Sequence, residues 1–525
     1  MRTDGKAETE QTGAGPEGHG DVLRPLITAA EMFPTLENLV LEAQSEVLVA
    51  FRVFDATTAL HSGKAKDLGL TTWADLLDHV AQRGVTLRLL LSDFDPVFTP
   101  DLHRDAWYSA GRFAARLAEF PNVEIIAALH DCAPAPLWEW AFALPIHKRL
   151  AALQDMPHER LTPHQHRALK GEYHLRPVTL HQKFAVIDER RAIIGGIDVN
   201  ERRYDDNTHD QRPEDTWHDV SVEVTGPVVT QLRRHFADCW TRACGDCGTV
   251  FSESATPLDL PEPAEYSAQD TAKDTGARGP KILRTLSTRG TGAARFGPVT
   301  EVREHETAHL DAFAMAERSI YIETQFLRHL PLARALARRA AEAPELQLIF
   351  VIPTEPERVI FGRDRGMTAR HAQALQLRCL QILRRAYGDR LAIVSPAQPR
   401  PAPDGTPMPV NGSGIIYLHS KVTLVDDRTG IVGSANLNGR SLLWDTEASV
   451  QFDDAGVIAD LRARLAAKWL GKDSARIETA ATWTQAAEEA AQTPPEQRKA
   501  MIQPFPESRN RRFARYVPIL PDAMF

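Results

Sequence analysis

No stretch of apolar residues in this sequence approaches the roughly 18–20 needed to cross a bilayer as a helix. The first 20 residues, MRTDGKAETEQTGAGPEGHG, lack the apolar centre of a Sec signal peptide. These absences exclude an integral helical membrane protein and conventional Sec export. The expected location is the cytoplasm, with secretion as an effector by a dedicated machine as the alternative. Cysteine is scarce too, and five in 525 residues do not make a disulfide scaffold. Cys239, Cys244 and Cys247 fall as C-x4-C-x2-C, but zinc needs a fourth ligand and none has suitable spacing, so free thiols are expected. Nor is positive charge in excess. Lys+Arg 61 against Asp+Glu 70 leaves a net charge of −9, which argues against a general binder of nucleic-acid backbone. A local basic cleft on an acidic body remains compatible with that balance.

What is present is core material: 43% hydrophobic and 25% charged residues, the proportions of a globular protein. Residues 1–22 are polar and Gly-rich and are expected to be a disordered leader. A first half, 23–250, alternates helical and apolar strand patterns: helix 28–44, strand 46–55, helix 72–83, strand 85–95, helix 102–119 and strand 123–129. A Ser/Thr/Pro/Asp/Glu-rich linker spans 251–280. The second half, 281–475, repeats the order with helix 305–317, strand 319–327, helix 331–341, strand 346–353, helix 368–387 and strand 391–396. Residues 476–525 read as a C-terminal tail. Continuous apolar strands alternating with helices imply an α/β fold with sheets covered on both faces.

The repeat is most visible in two segments. HQKFAVIDERRAIIGGIDVNER begins at His181 and HSKVTLVDDRTGIVGSANLNGR at His419; eight of 22 aligned positions are identical. A period of 238 residues is far too long for a solenoid. It fits two halves of one bilobal protein related by a pseudo-twofold axis. In each copy, strand alternation puts His181 with Lys183, and His419 with Lys421, on one face. Each segment ends in a small-residue bend, Gly195-Gly196-Ile197-Asp198 or Gly433-Ser434-Ala435-Asn436, where backbone can approach an anion closely. Imidazole, ammonium, hydroxyl and amide together suit a phosphate. Two converging copies would place one histidine on each side of a single phosphorus, as in-line displacement requires. With two lysines to neutralise charge, no metal or cofactor is called for.

Paired H-x-K-x4-D motifs at identical internal spacing resemble the phospholipase D superfamily. The similarity covers most of 25–475. Trp217-His218-Asp219 with Gly226-Pro227, the run Tyr321-Ile322-Glu323-Thr324-Gln325, and Asp445-Thr446-Glu447 make it most like the true phospholipases D. The resemblance implies a bilobal phospholipase D fold of two α-β-α sandwich halves, each with a mixed, mainly parallel sheet. It implies a phosphohistidine mechanism with His181 as nucleophile and His419 as general acid/base. Lys183 and Lys421 would hold phosphate oxygens, with Ser434 and Asn436 as further donors. Asp188 and Asp426 complete the catalytic motif, although bracing the strand–turn–strand is the more natural task for them. Each histidine needs a carboxylate to orient it. The expected pairs are Glu447 with His419 and Asp219 with His181, each within its own half. Asp198 departs from the pattern, since a carboxylate at the phosphate would repel it.

The activity so implied is hydrolysis of a glycerophospholipid to phosphatidic acid and free headgroup alcohol. The alternatives are a transphosphatidylase such as a cardiolipin or phosphatidylserine synthase, a nuclease of the same superfamily, and a non-catalytic scaffold that four intact His/Lys positions disfavour. Peripheral contact with a membrane surface is expected and nucleic acid is not; the sequence says nothing of oligomeric state. Two segments bear on membrane contact. APAPLWEWAFALPI (133–146) reads either as an interfacial loop or as an ordinary buried helix. Arg509, Arg511, Arg512 and Arg515 read as anionic-lipid contacts, or as a solvated or docked tail.

Overall fold

The computed structural model describes residues 22–130, 132, 134–245, 247–260, 279–290, 292, 295–471 and 474–525. The expected leader, apart from Val22, and residues 261–278 of the expected linker lie outside them. The first sheet contains β1 (Leu23–Ile27), β2 (Glu46–Phe51), β3 (Thr86–Ser92), β4 (Val123–Ala128), β5 (Phe184–Ile187), β6 (Arg191–Gly195), β7 (Val220–Thr225) and β8 (Gly248–Val250). Their spatial order is β1-β7-β6-β5-β2-β3-β4-β8.

The second sheet contains β9 (Lys281–Thr288), β10 (Val299–Arg303), β11 (Ser319–Glu323), β12 (Gln347–Val351), β13 (Leu391–Pro401), β14 (Ser413–Ile415), β15 (Val422–Val425), β16 (Thr429–Gly433), β17 (Glu447–Phe452) and β18 (Ile502–Pro504). Its path β9-β17-β16-β15-β11-β12-β13 reproduces the first sheet strand for strand. Both are mixed. The parallel part is β2-β3-β4 in one and β11-β12-β13 in the other, and the motif hairpins β5-β6 and β15-β16 pair antiparallel. The protein therefore has the bilobal α/β fold of two related halves that the repeat implies.

Strand alternation assigns the layers. Val47, Val49 and Phe51 of β2 pack outward with helices Ala29–Glu42 and Trp73–Gln82, while Leu48 and Ala50 face inward. That inner layer is shared. Phe184, Val186, Val222 and Val224 of the first half lie in one core with Val422, Leu424, Val432 and Val450 of the second, together with helices Pro227–Ala243 and Ala455–Leu470. Burial on both faces explains why these strands read as unbroken apolar runs. Helix starts are also local: Thr72 accepts from the Asp75 N–H while Asp75 reaches back, a reciprocal cap.

One boundary needs correction. Residues 476–525 are not a separate tail. Helix Ala480–Gln492 buries Trp483 in the shared core, β18 pairs antiparallel with β13, and Arg509 forms an ion pair with the buried Glu355. Of the expected options for the tail arginines, Arg509 therefore has the docked one. The sequence signal was weak because nearly half of the helix is alanine and Trp483 is its one large apolar residue.

Candidate active site

Each histidine stands just before its motif strand, and the two chain segments that carry them cross between halves. The His181 N–H donates to the Thr446 carbonyl (2.8 Å) and the Thr446 N–H to that of Thr179 (3.1 Å). The His419 N–H donates to the His218 carbonyl (2.8 Å) and the His218 N–H to that of Tyr417 (2.9 Å). Each pre-motif segment thus runs parallel to the residue that precedes β17 or β7 of the opposite half.

This crossing corrects the expected carboxylate pairs. His181 Nδ1 lies 3.0 and 3.1 Å from the two oxygens of Glu447, and His419 Nδ1 lies 2.6 Å from Asp219 Oδ2. Proximity in sequence suggested pairs within each half, and the inter-half bridges exchange them. The first residues of β17 and just before β7 are brought to the partner histidine by backbone hydrogen bonds.

Burial and the charges of Lys183, Arg52, Lys421 and Arg440 push the His181 imidazole well below its ordinary pKa. His419 is pushed the same way by burial and by Lys421, Lys183 and Arg203. Both rings are therefore held toward the neutral form, and Nδ1 contact with a carboxylate leaves Nε2 as the reactive nitrogen. Burial also raises Glu447 to about 8 and Asp219 to about 6, while it lowers Lys421 to about 7.

Lys183 Nζ donates to the His181 carbonyl (2.5 Å) and stands 3.9 Å from Asp198 Oδ2. Lys421 Nζ contacts the His419 carbonyl and lies 2.8 Å from His419 Nδ1. Nδ1 has one in-plane position, so Lys421 and Asp219 compete for it. A phosphate that draws the ammonium away leaves Asp219 as sole partner.

The proposed phosphate donors fare unequally. Ser434 Oγ donates to Glu447 (2.5 Å), so this hydroxyl supports the carboxylate rather than facing a substrate. In the first half that position is Gly196, where a Cβ would stand 2.1 Å from Asp219 Oδ1. The shorter acid needs the space that glycine leaves. Asn436 is buried, donates to Gln325 Oε1 (3.4 Å), and keeps Oδ1 without a partner. Half a turn of the amide would present its NH2 instead. Asp198 accepts from the Val53 N–H (2.9 Å) and lies beside Lys183, so this carboxylate does sit at the centre.

Asp188 and Asp426 do not. They follow β5 and β15 at the end opposite the His/Lys pairs. Asp188 accepts from the N–H groups of Gln44, Ser45 and Glu46, and Asp426 from those of Glu317, Arg318 and Ser319. Burial alone would raise the Asp188 carboxyl, but these donors and the Ser45 hydroxyl hold it below the usual carboxylate range. Both aspartates have positive φ (52° and 50°) and clamp the start of the neighbouring strand. Their place in the catalytic set is corrected to a structural one. Asp188→Asn should lower stability by about 0.5–1.5 kcal/mol, because the donors it leaves weakly paired at Gln44 and Ser45 are exposed to water. Urea melts measure this, while kcat on a soluble diester should stay within severalfold.

The sequence reading missed an arginine group: Arg52, Arg203, Arg358 and Arg440, which act on one another or on the histidines and lysines. One signal was available. Asn200/Asn438 and Arg202/Arg440 are among the identities of the repeat, and Arg440 proves to be one of the charges on His181. Behind the centre, Glu323 accepts from Tyr321, Ser420, Trp469 and His218, which ties the two halves together. Cys239 and Cys244 are free thiols, and among the described residues no group of three or more His, Cys, Asp or Glu is arranged to hold a metal.

Residues 310–469 match the family profile "Cardiolipin synthase, PLD-like domain". Cardiolipin synthase A of Pseudomonas entomophila is 25% identical over 272 residues, 51% of this chain and 43% of that protein. Phospholipase D1 of Saccharomyces cerevisiae is 25% identical over 389 residues, 57% of this chain and 22% of that protein. The chain belongs to the phospholipase D superfamily. The match with these curated relatives spans less than half of their length. Phosphatidylserine synthase of Haemophilus influenzae Rd KW20 has a related structure: TM-score 0.48, 13% identity, 92% of this chain and 88% of that one covered.

Anion binding should follow the titration of the centre. Lys421, Asp219 and Glu447 each lose a proton as pH rises between about 6 and 8, and each loss makes the site more negative. Tungstate, whose own charge is constant over this range, is expected to bind progressively more weakly from pH 6 to pH 9. Isothermal titration measures it; affinity independent of pH would show that these groups do not face the anion.

Proposed function

We propose that the protein is a phospholipase D-type phosphodiesterase that hydrolyses glycerophospholipids to phosphatidic acid and a headgroup alcohol. The supporting observation is the pair of histidines from opposite halves, His419 buried and His181 partly so, each held through Nδ1 by a carboxylate of the other half, with two lysines beside them. His181 Nε2 attacks phosphorus while the bond to the headgroup oxygen breaks, and His419 Nε2–H gives that oxygen its proton. Water then passes a proton to His419 and attacks the phosphohistidine, releasing phosphatidic acid and restoring His181. Burial and the neighbouring cations hold His419 toward the neutral form, so the phosphodiester anion supplies the counter-charge that lets it take up a proton. Glu447 holds the nucleophile and Asp219 the acid.

A second reading is transfer, with an alcohol in place of water in the second step. The nearly closed centre favours it: the His181 and His419 side chains are only 14% and 8% exposed, which limits water. Membrane contact is proposed at the helices Pro136–Ala141 and Ala143–Gln154, where Leu137, Trp140 and Leu144 are 51%, 77% and 83% exposed and Lys148 and Arg149 follow. Neither a simple loop nor a buried helix, this segment turns an apolar stripe outward.

The test is incubation with vesicles of phosphatidylcholine, phosphatidylethanolamine and phosphatidylglycerol, with and without glycerol, beside single-stranded DNA. Phosphatidic acid from lipid is the expected product; a phosphatidyl-glycerol adduct in preference to it would favour transfer. Cleavage of DNA alone would overturn the lipid reading. Trp140→Ser should reduce turnover of vesicles at least fivefold and that of a short-chain soluble lipid little.

A further inference from the structure

One cavity adjoins the catalytic centre without belonging to the catalytic set described above. It holds about 260 Å³ and is lined by Arg52, Val53, Ser92, Asn200 and Arg203 among others, with Asp55, Asp105 and Tyr108 toward its rim. Two of its walls are backs of the active site. Val53 donates its N–H to Asp198, the neighbour of Lys183, and Ser92 donates its hydroxyl to the carbonyl of Leu180, the residue before His181. Arg203 lies 3.7 Å over the Trp217 ring, whose centroid is 4.7 Å from that of His419. The cavity is thus one side chain away from both histidines.

Three polar atoms of its lining are unsatisfied. Arg52 Nε, Arg203 Nε and Asn200 Oδ1 are buried without a hydrogen-bond partner. Among the described residues no carboxylate stands within ion-pair distance of either guanidinium; Asp198 instead approaches Lys183. Buried donors without partners are costly, and a guanidinium is shaped for a carboxylate or phosphate. The second half lacks the feature. There the position of Arg52 is Gln325, which bonds Asn436, the counterpart of Asp198. The arginine is therefore not required by the fold or by the repeated phosphate-binding apparatus. Phe54, Leu91, Phe94 and Leu102 line the cavity beside the arginines, and its volume accommodates a headgroup of serine or glycerol phosphate size.

We propose that this cavity is a subsite for a second oxyanion, carried by the alcohol side of the substrate, and that Arg52 and Arg203 make the enzyme selective for headgroups bearing a carboxylate or phosphate. The assignment to a lipid headgroup rests on the function proposed above; the oxyanion subsite does not. Arg203 faces the cavity from the side of Trp217 and His419, where the leaving alcohol is protonated. Arg52 approaches from the side of Lys183.

The test separates the two. With bis(p-nitrophenyl) phosphate as reporter substrate, O-phosphoserine and phosphoethanolamine are compared as competitive inhibitors, since they differ only by the carboxylate. The expected result is at least tenfold tighter inhibition by O-phosphoserine, reduced to less than threefold in Arg203→Met and in Arg52→Gln. Glycerol 1,3-bisphosphate against glycerol 3-phosphate gives the phosphate arm. Because each ratio is taken within one protein, a general loss of activity cancels, and tungstate binding verifies that a variant has kept its centre. Equal inhibition by the paired compounds in the wild type would overturn the proposal, as would a preference that survives both substitutions. Phosphatidylserine and phosphatidylethanolamine vesicles then address the lipid reading. Selective inhibition without turnover of either lipid would sink the lipid assignment and leave the subsite standing.

Discussion

His181→Ala should abolish turnover, with a loss of at least about 10⁴-fold, and leave no covalent phosphoenzyme on any substrate. His419→Ala should be as damaging on a lipid, but for a different reason that a change of leaving group exposes. An alkoxide headgroup cannot depart without a proton, whereas p-nitrophenolate can. On a p-nitrophenyl ester the His419→Ala enzyme is expected to release one equivalent of nitrophenol in a burst and then stall, because no base remains to activate water. Stopped-flow absorbance measures the burst. A nearly symmetric repeat supplies two histidines of similar environment, both with lowered pKa and both beside lysines, so chemistry rather than geometry must show which attacks.

The second large effect concerns the carboxylates. Because Glu447 holds His181 and Asp219 holds His419, Glu447→Gln should slow formation of the phosphoenzyme and Asp219→Asn its breakdown, each by about 10²–10³-fold, between the losses seen for outer-shell partners and for a buried triad aspartate. Pairing within halves predicts the reverse. Single-turnover kinetics on the nitrophenyl ester decides between them: burst rate falls in Glu447→Gln, and the following steady phase falls in Asp219→Asn. The amide variants are nearly isosteric and retain Nδ1 contact, so a loss reports charge and tautomer rather than packing.

Much of this architecture was legible in the residues. The motif copies, their strand placement and the helix and strand order follow from periodicity and a 238-residue repeat. The layers follow from two-sided apolar strands such as Glu46–Phe51. What the sequence concealed depends on how the halves meet. No local signal shows that Thr446 bonds His181 or that His218 bonds His419, and the carboxylate partners therefore came out exchanged. Ser434 looked like a phosphate donor because its residue type suits one, but Glu447 claims the hydroxyl. Asp188 and Asp426 share the motif with the catalytic groups and lie a strand's length from them, because four residues of β5 or β15 intervene. Arg52 and Arg203 were invisible as a pair: they are 151 residues apart and meet only at a cavity wall.

One centre divides its labour between the halves: the first supplies the nucleophile and the second supplies the carboxylate that orients it. The most direct measurement is the location of the trapped phosphate in Asp219→Asn, quenched during turnover of the nitrophenyl ester and mapped by peptide mass spectrometry at neutral to alkaline pH. Phosphohistidine should accumulate at His181, and no trapped phosphate should be found in Glu447→Gln. Phosphate at His419, or accumulation in Glu447→Gln and not in Asp219→Asn, would contradict the assignment.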